Sequence, residues 1–283
     1  MSEWQPSARE LERREVRRRQ SRRRTSISLG VTSLVVFVLV VGIVTSPGWP
    51  TVQGNFFNGH YFRDSLPEIS RAFLLNLKLF LLAEPLILVL ALSVALARQS
   101  RSPWLVPVRG LAVLYTDVFR GIPTILLIYL LAFGMPALKL QGVPNGLFFW
   151  GLMALVLSYG AYVAEVFRAG IESIHPSQVA SAEALALTRT QTMRHVVVPQ
   201  AVRRVVPPLL NDFISLQKDT ALVSSIALYD ATFAARDYAN YNFNYTPLVV
   251  VACFFIVMTV PMARFTDWLG RRYHERERAG VVR

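Results

Sequence analysis

The hydrophobic residues of this chain come in long blocks with few charges, and that pattern constrains the fold more than any other feature. A run of roughly 20 apolar residues is long enough to cross a bilayer core as a helix. Such runs lie at Ile27–Thr45, Ala72–Ala97, from about Arg120 to Met135, and at Leu147–Phe167, Val205–Leu228 and Pro247–Leu269. The expected fold is therefore an all-α, polytopic membrane protein of about six transmembrane helices. Lysine and arginine outnumber aspartate and glutamate 30 to 18. The arginines gather beside the apolar blocks, which is the positive-inside signature of cytoplasmic loops and argues against nucleic acid as a partner. Both termini then fall in the cytoplasm, as an even number of spans requires. The single cysteine, Cys253, lies inside a span and excludes an intramolecular disulfide.

In chain order, residues 1–25 read as a basic, flexible cytoplasmic tail that touches anionic lipid. Residues 26–46 read as an uncleaved anchor helix, and Pro47 to Pro67 as an external loop rich in Gly, Asn, Pro and aromatics. In the second span, Asn76, Phe80 and Glu84 share one helical face, with Pro85 marking a kink. A carboxylate near mid-span is costly and should face the bundle interior. Ser100 to Arg120 reads as a cytoplasmic stretch leading to the third span, with a bend allowed at Gly121 and Pro123. Glu165 and Arg168 are three apart and can pair at the end of the fourth span.

Residues 169–204 form a cytoplasmic segment in which Pro176 should start a helix and Pro199 should end one. Gln178, Ala182 and Ala186 lie four apart and present a nearly bare face, suited to docking another protein. The fifth span is amphipathic: Asn211, Ser215, Lys218 and Ser225 follow one side, and Leu209, Phe213, Leu216 and Val223 the other. Lys218 and Asp219 point apart by about 100° and need different partners. Tyr229 to Thr246 reads as an external loop, and residues 273–283 as a second cytoplasmic tail. Glu165, His175 and Asp219 are the candidates for an embedded enzyme, but their spacing suits neither a metal site nor a nucleophile–base pair.

Several spaced motifs recur together. Tyr162-Val-Ala164-Glu165-Val-Phe-Arg168-Ala-Gly170-Ile171-Glu-Ser173-Ile174 precedes Ser177 to Thr188. Val198-Pro199-Gln200-Ala201-Val-Arg203, Pro207-Pro208, Asn211 and Lys218-Asp-Thr220-Ala-Leu222 follow, and Phe119-Arg120-Gly121-Ile122-Pro123 stands upstream. From about Arg71 to Arg271 the chain resembles the permease subunits of bacterial ATP-binding-cassette importers, in the branch for polar amino acids. The resemblance implies the type I, MetI-like permease fold over residues 70–272, with a cytoplasmic coupling helix. It implies three partners besides the bilayer: an ATPase dimer, an extracytoplasmic solute-binding protein, and a second permease copy or a related permease. ATP and magnesium would belong to the ATPase; no phosphate-binding loop occurs here.

By the same resemblance Gln178, Ala182, Glu183, Ala186 and Leu187 are the ATPase-coupling residues. Glu84, Asn211, Lys218 and Thr220 are candidates for the solute path, with packing or interhelical hydrogen bonds an equal explanation of each, and Glu84, beyond what the family pattern implies, is read as selecting a cationic solute such as a basic amino acid. Arg120, Gly121, Pro123, Tyr162, Glu165, Arg168, Gly170, Pro199, Arg203 and Pro207 carry the family pattern. The chain departs from it at Ala180, where the pattern has glutamate, at Ser181 in place of alanine, at Ala186 in place of glycine, and at Leu127 in place of a common glutamine. Losing that glycine puts the turn after the coupling helix in question, while alanine keeps the surface small.

Overall fold

The computed structural model describes residues 8–100 and 102–281, and every regular element among them is helical. The chain divides into two compact units, residues 1–55 and 56–283.

The first unit is dominated by α1 (Ala8–Val44), which runs without a break from the arginine-rich segment into the first apolar block. The expected flexible tail is thus helix from Ala8 onward, and its first seven residues lie outside those described. The apolar side chains between Ile27 and Val44 are exposed along the whole span. Thr45 and Ser46 close α1 by donating to the carbonyls of Val41 and Ile43, each at 2.7 Å. A short α2 (Trp49–Phe56) follows, so the expected loop from Pro47 to Pro67 is largely helical.

The second unit is a helical bundle. It opens with α3 (Gly59–Gln99), whose 41 residues pass through both Pro67 and Pro85. At 1.5 Å per residue α3 is about 60 Å long, twice the thickness of a bilayer core. The second span therefore extends well beyond its apolar block. Asn58 caps the helix by accepting from the N–H of His60 at 3.0 Å.

The expected cytoplasmic stretch before the third span is itself a helix, α4 (Val106–Gly121), and Arg101 lies outside the described residues. α4 and α5 (Thr124–Ala137) meet at 106°, at the Gly121–Pro123 bend foreseen in the sequence. Gly121 ends one helix, and Pro123, which has no N–H to donate, stands at the N-cap of the next.

The central helix is α6 (Leu147–Glu172): 67% of its apolar window is buried, against 11% in α11 (Thr246–Val281). It packs along α3 through Leu79, Ala83, Ile87 and Ala91 on one side and Ala154, Leu155 and Val156 on the other. Small residues set the spacing. A Cβ on Gly160 would meet the Tyr115 hydroxyl at 2.7 Å, and one on Gly170 would meet Val205 Cγ2 at 2.0 Å. Among the described residues four helical segments are long and apolar enough to cross a membrane, or five when the bent α4–α5 pair is taken as one span. α9 (Val198–Asp219) differs from these in carrying Arg203, Arg204, Asp212, Lys218 and Asp219 among its apolar residues.

Two further expectations are corrected. Pro199 does not end a helix; it is the second residue of α9, directly after the π-helical turn Met193–Val197, and the helix runs on past it. The segment 229–246 is no loop but holds α10 (Ala231–Asn242), capped by Asp230, whose Oδ1 accepts from Phe233 N–H at 2.8 Å. Ala231, Ala234, Ala235 and Ala239 bury one face of α10 against Ile69, Val250 and Val251. That helical spacing of small residues was the signal to read. The last span continues helical through the expected C-terminal tail to Val281, with residues 282 and 283 outside those described.

Candidate functional site

Between α6 and α9 the chain leaves the bundle to form a short helix, α7 (Pro176–Ala184). His175 is its N-cap, accepting from Ser177 N–H at 3.2 Å, and Pro176 occupies the first turn as its fixed φ favours. The far end is closed by two backbone bonds: Leu187 N–H donates to Ala182 O at 3.1 Å and Ala186 N–H to Glu183 O at 2.9 Å. That pair is the Schellman closure, and it requires a left-handed residue at position 186. Ala186 supplies it, at φ 56°. The turn that the missing glycine put in question is therefore made, with an alanine held where a Cβ costs about 1–2 kcal/mol.

The next turn is also capped from its own sequence. Thr188 N–H donates to Gln191 Oε1 at 2.8 Å, and Gln191 N–H returns to Thr188 Oγ1 at 3.3 Å, a capping box that starts α8 (Arg189–Thr192). α8 passes through a π-helical turn, Met193–Val197, directly into α9.

The five predicted coupling residues divide. Gln178, Glu183 and Ala186 are exposed, and Leu187 is half-buried. Ala182 is only 3% exposed, so it faces its own subunit and cannot form part of a bare outer face. A small apolar anchor beneath α7, made of Ile174, Val197 and Ala201 with Ile171 and Val179, explains the orientation. Sequence spacing missed Leu185, which is 76% exposed just before the left-handed turn. Leu185 thus holds a large apolar side chain outward between the two capped turns.

Just inside α7, the end of the bundle is tied by one carboxylate. Glu165 on α6 accepts from Arg98 on α3 at 2.9 Å and from its helix neighbour Arg168, and Arg120 approaches it to 3.8 Å. Arg168 also holds Glu172, and Arg98 also donates to Thr116 on α4 at 3.0 Å. The expected Glu165–Arg168 pair is thus one part of a node joining α3, α4 and α6. Arg120, beside the α4–α5 bend, lies over the Tyr162 ring at 5.8 Å, and Tyr162 donates to the Arg120 carbonyl at 3.1 Å. Arg204 donates to Ser173 O, whereas Arg203 is exposed and Pro207 half-buried inside α9.

The four solute-path candidates are not brought together. Thr220 is fully buried in a lock between α3 and the segment after α9. Asn76 Nδ2 donates to Asp230 Oδ2 at 2.9 Å and to Thr220 Oγ1 at 3.3 Å, while Asn76 Oδ1 accepts from Ala231 N–H at 3.1 Å. Burial raises the Asp230 carboxyl above its ordinary range, and the Asn76 amide and the Phe233 N–H pull it back. Thr220 is thus buried and hydrogen-bonded in this arrangement. Glu84 lines an apolar cavity of about 320 Å³ with Leu88, Leu209, Phe213 and Met262. Phe80, one turn before Glu84, stacks edge-on against Phe213 at 4.7 Å. Asp212 on α9, which the sequence reading passed over, has a buried Oδ2 with no hydrogen-bond partner. Asn211 and Lys218 are exposed.

Lys218 and Asp219 do have separate surroundings, since Asp219 accepts from Tyr159 on α6 at 2.7 Å. The three enzyme candidates are scattered: Glu165 lies among arginines, His175 caps α7, and Asp219 holds Tyr159. No group of three or more His, Cys, Asp or Glu side chains suits a metal ion among the described residues.

Residues 88–275 match the family described as binding-protein-dependent transport system inner membrane component. The probable glutamine ABC transporter permease protein GlnM of Bacillus subtilis is 31% identical over 59% of this chain and 76% of its own. The putative glutamine transport system permease protein GlnP of Rickettsia bellii is 32% identical over 66% of this chain and 84% of its own. Among solved structures, a crystal structure of an amino acid ABC transporter with histidines superposes with a TM-score of 0.66 at 31% identity, covering 73% of this chain and 94% of that one. An inward-facing MetNI methionine ABC transporter, at 16% identity, shares the fold with a TM-score of 0.57 over 72% of this chain and 95% of its own.

Proposed function

The chain belongs to the family of binding-protein-dependent transport system inner membrane components, and from that premise we propose that it is the permease subunit of an ATP-driven importer for amino acids. The observation that carries this reading is α7, a helix capped at both ends, seated on its own apolar anchor, with Gln178, Glu183, Leu185 and Ala186 turned outward. A segment built this way transmits a push from a soluble partner into α6 and α9, because the chain connects it rigidly to both. We assign that partner as an ATPase, with Leu185 seated in an apolar groove on its surface.

In this reading the α7 end and both termini face the cytoplasm, since Arg98, Arg109, Arg168, Arg203, Arg204, Arg271 and Arg272 crowd the helix ends there. A solute-binding protein delivers at the opposite end, and a second copy or a related permease completes the pore. Alternating access then needs the helices tied at Glu165 to change their mutual angle as α7 moves. Within the span we assign Glu84 to the solute path, where its carboxyl would favour a cationic side chain; Asn211 and Lys218 are exposed for a neighbouring permease.

The test is isolation of the tagged protein from its native membrane in mild detergent, comparing the natural sequence with Leu185→Asp. We expect an ATPase subunit to accompany the former and to be lost from the latter, while the α7 closure remains intact. Isolation with a second permease but without any ATPase would overturn the reading.

A further inference from the structure

At the end of α3 remote from α7, a second cavity opens. It has a volume of about 710 Å³, within the range of small-molecule sites, and is lined by Asp64, Glu68 and Arg71 on α3, by Tyr229, and by Leu75 and Leu228. Residues 64, 68, 71 and 75 recur at helical spacing, so successive turns of α3 build one wall. Leu228 and Tyr229, between α9 and α10, supply the other.

The charges on these walls are of both signs and are not spent on each other. Arg71 is three residues from Glu68, yet among the described residues it pairs with no carboxylate. Among the described residues Asp64 pairs with His60, at 3.3 Å, and Glu68 accepts from the neutral Tyr229 hydroxyl. That hydrogen bond, and then burial, push the Tyr229 hydroxyl up to about 12, so it keeps its proton as a donor. A guanidinium and two carboxylates held apart around an apolar floor suit a small molecule that itself carries separated charges. An anion alone would meet two carboxylates, and a cation alone would meet Arg71.

We propose that this cavity is an entry site for the α-amino acid zwitterion, with Arg71 receiving the α-carboxylate, Asp64 and Glu68 the ammonium, and Leu75 and Leu228 facing the side chain. The proposal rests on the amino-acid reading above. Its position is consistent with that reading: Arg71 is 27 residues before Arg98 of the Glu165 node, about 40 Å along the helix, and so on the other side of a bilayer core of about 30 Å. Because the charged groups contact only the backbone end of the solute, the site would accept many amino acids and leave selection to other surfaces.

The experiment is saturation-transfer NMR on the full-length permease in nanodiscs, with glutamine, histidine and arginine as probes at millimolar concentration. Each probe is compared with analogues lacking the α-carboxyl or the α-amino group. The expected result is transfer to the intact amino acids and loss with either analogue. Arg71→Gln should weaken binding about tenfold, as loss of a charge-assisted hydrogen bond does. Glu68→Gln should act in the same direction. Equal transfer to an analogue, or an unchanged signal in Arg71→Gln, would overturn the proposal. Uptake of the same amino acids by cells lacking the gene separates the two readings. No loss of uptake would refute the amino-acid assignment, while lost uptake with an Arg71-independent signal would refute the entry site alone.

Discussion

Two regions of the bundle tie helices together with polar side chains, and they do so in opposite ways. Around Glu165 a single carboxylate is shared by Arg98, Arg168 and the more distant Arg120, and its side chain keeps 21% exposure. Around Asn76 the side-chain amide is satisfied by Thr220, Asp230 and the Ala231 N–H, and Asn76 is 1% exposed. The first arrangement has spare partners and water at hand, so its helices can change angle by trading one arginine for another. The second has neither, and any movement strands a buried polar group. The polar tie at Glu165 can therefore exchange partners, whereas the one at Asn76 cannot.

The comparison is most easily broken at the lock. Asn76→Leu leaves the Asp230 carboxylate and the Ala231 N–H without their partner, and should cost about 3 kcal/mol of stability. Thermal unfolding in detergent will register it, and no response to salt is expected because the site is buried. A loss below about 1 kcal/mol would mean that the lock is not what holds α10 to α3.

At the node the effect on stability should be smaller, about 1 kcal/mol for Glu165→Gln, since partly solvated ion pairs contribute little. Its signature is different. Raising the salt concentration should lower the natural protein's melting temperature toward that of the variant, and in the reconstituted complex ATP hydrolysis should persist while uptake falls. Uptake that survives Glu165→Gln would show that the node is only structural.

The smallest effect is expected at the turn after α7. Ala186→Gly relieves a left-handed alanine but adds freedom to the unfolded chain, leaving a net gain of about 0.5 kcal/mol. Hydrogen exchange at the Leu187 amide should slow accordingly. Faster exchange would mean that alanine is adapted to this turn in some way its φ does not reveal.

The elements that were legible in the sequence are those written in local pattern. Long apolar blocks marked the spans, Gly121 with Pro123 marked the α4–α5 bend, and His175-Pro176 marked the start of α7. α10 was missed because its aromatics and asparagines look like loop composition, although its alanines at 231, 234, 235 and 239 keep helical spacing. Pro199 was misread because proline is equally at home beyond the end of a helix and in the first turn of the next; only the chain's path tells which.

The sequence by itself determined that this chain spans a membrane as about six helices and belongs with importer permeases, because span length and spaced motifs are properties of neighbouring residues. Only the tertiary structure decided which face of α7 points outward, since the apolar anchor beneath it includes Val197 and Ala201 from beyond the turn. It alone paired Glu165 with Arg98, 67 residues earlier, and Asn76 with Asp230, 154 residues later. Such contacts depend on how helices cross, and no local period along the chain encodes the crossing.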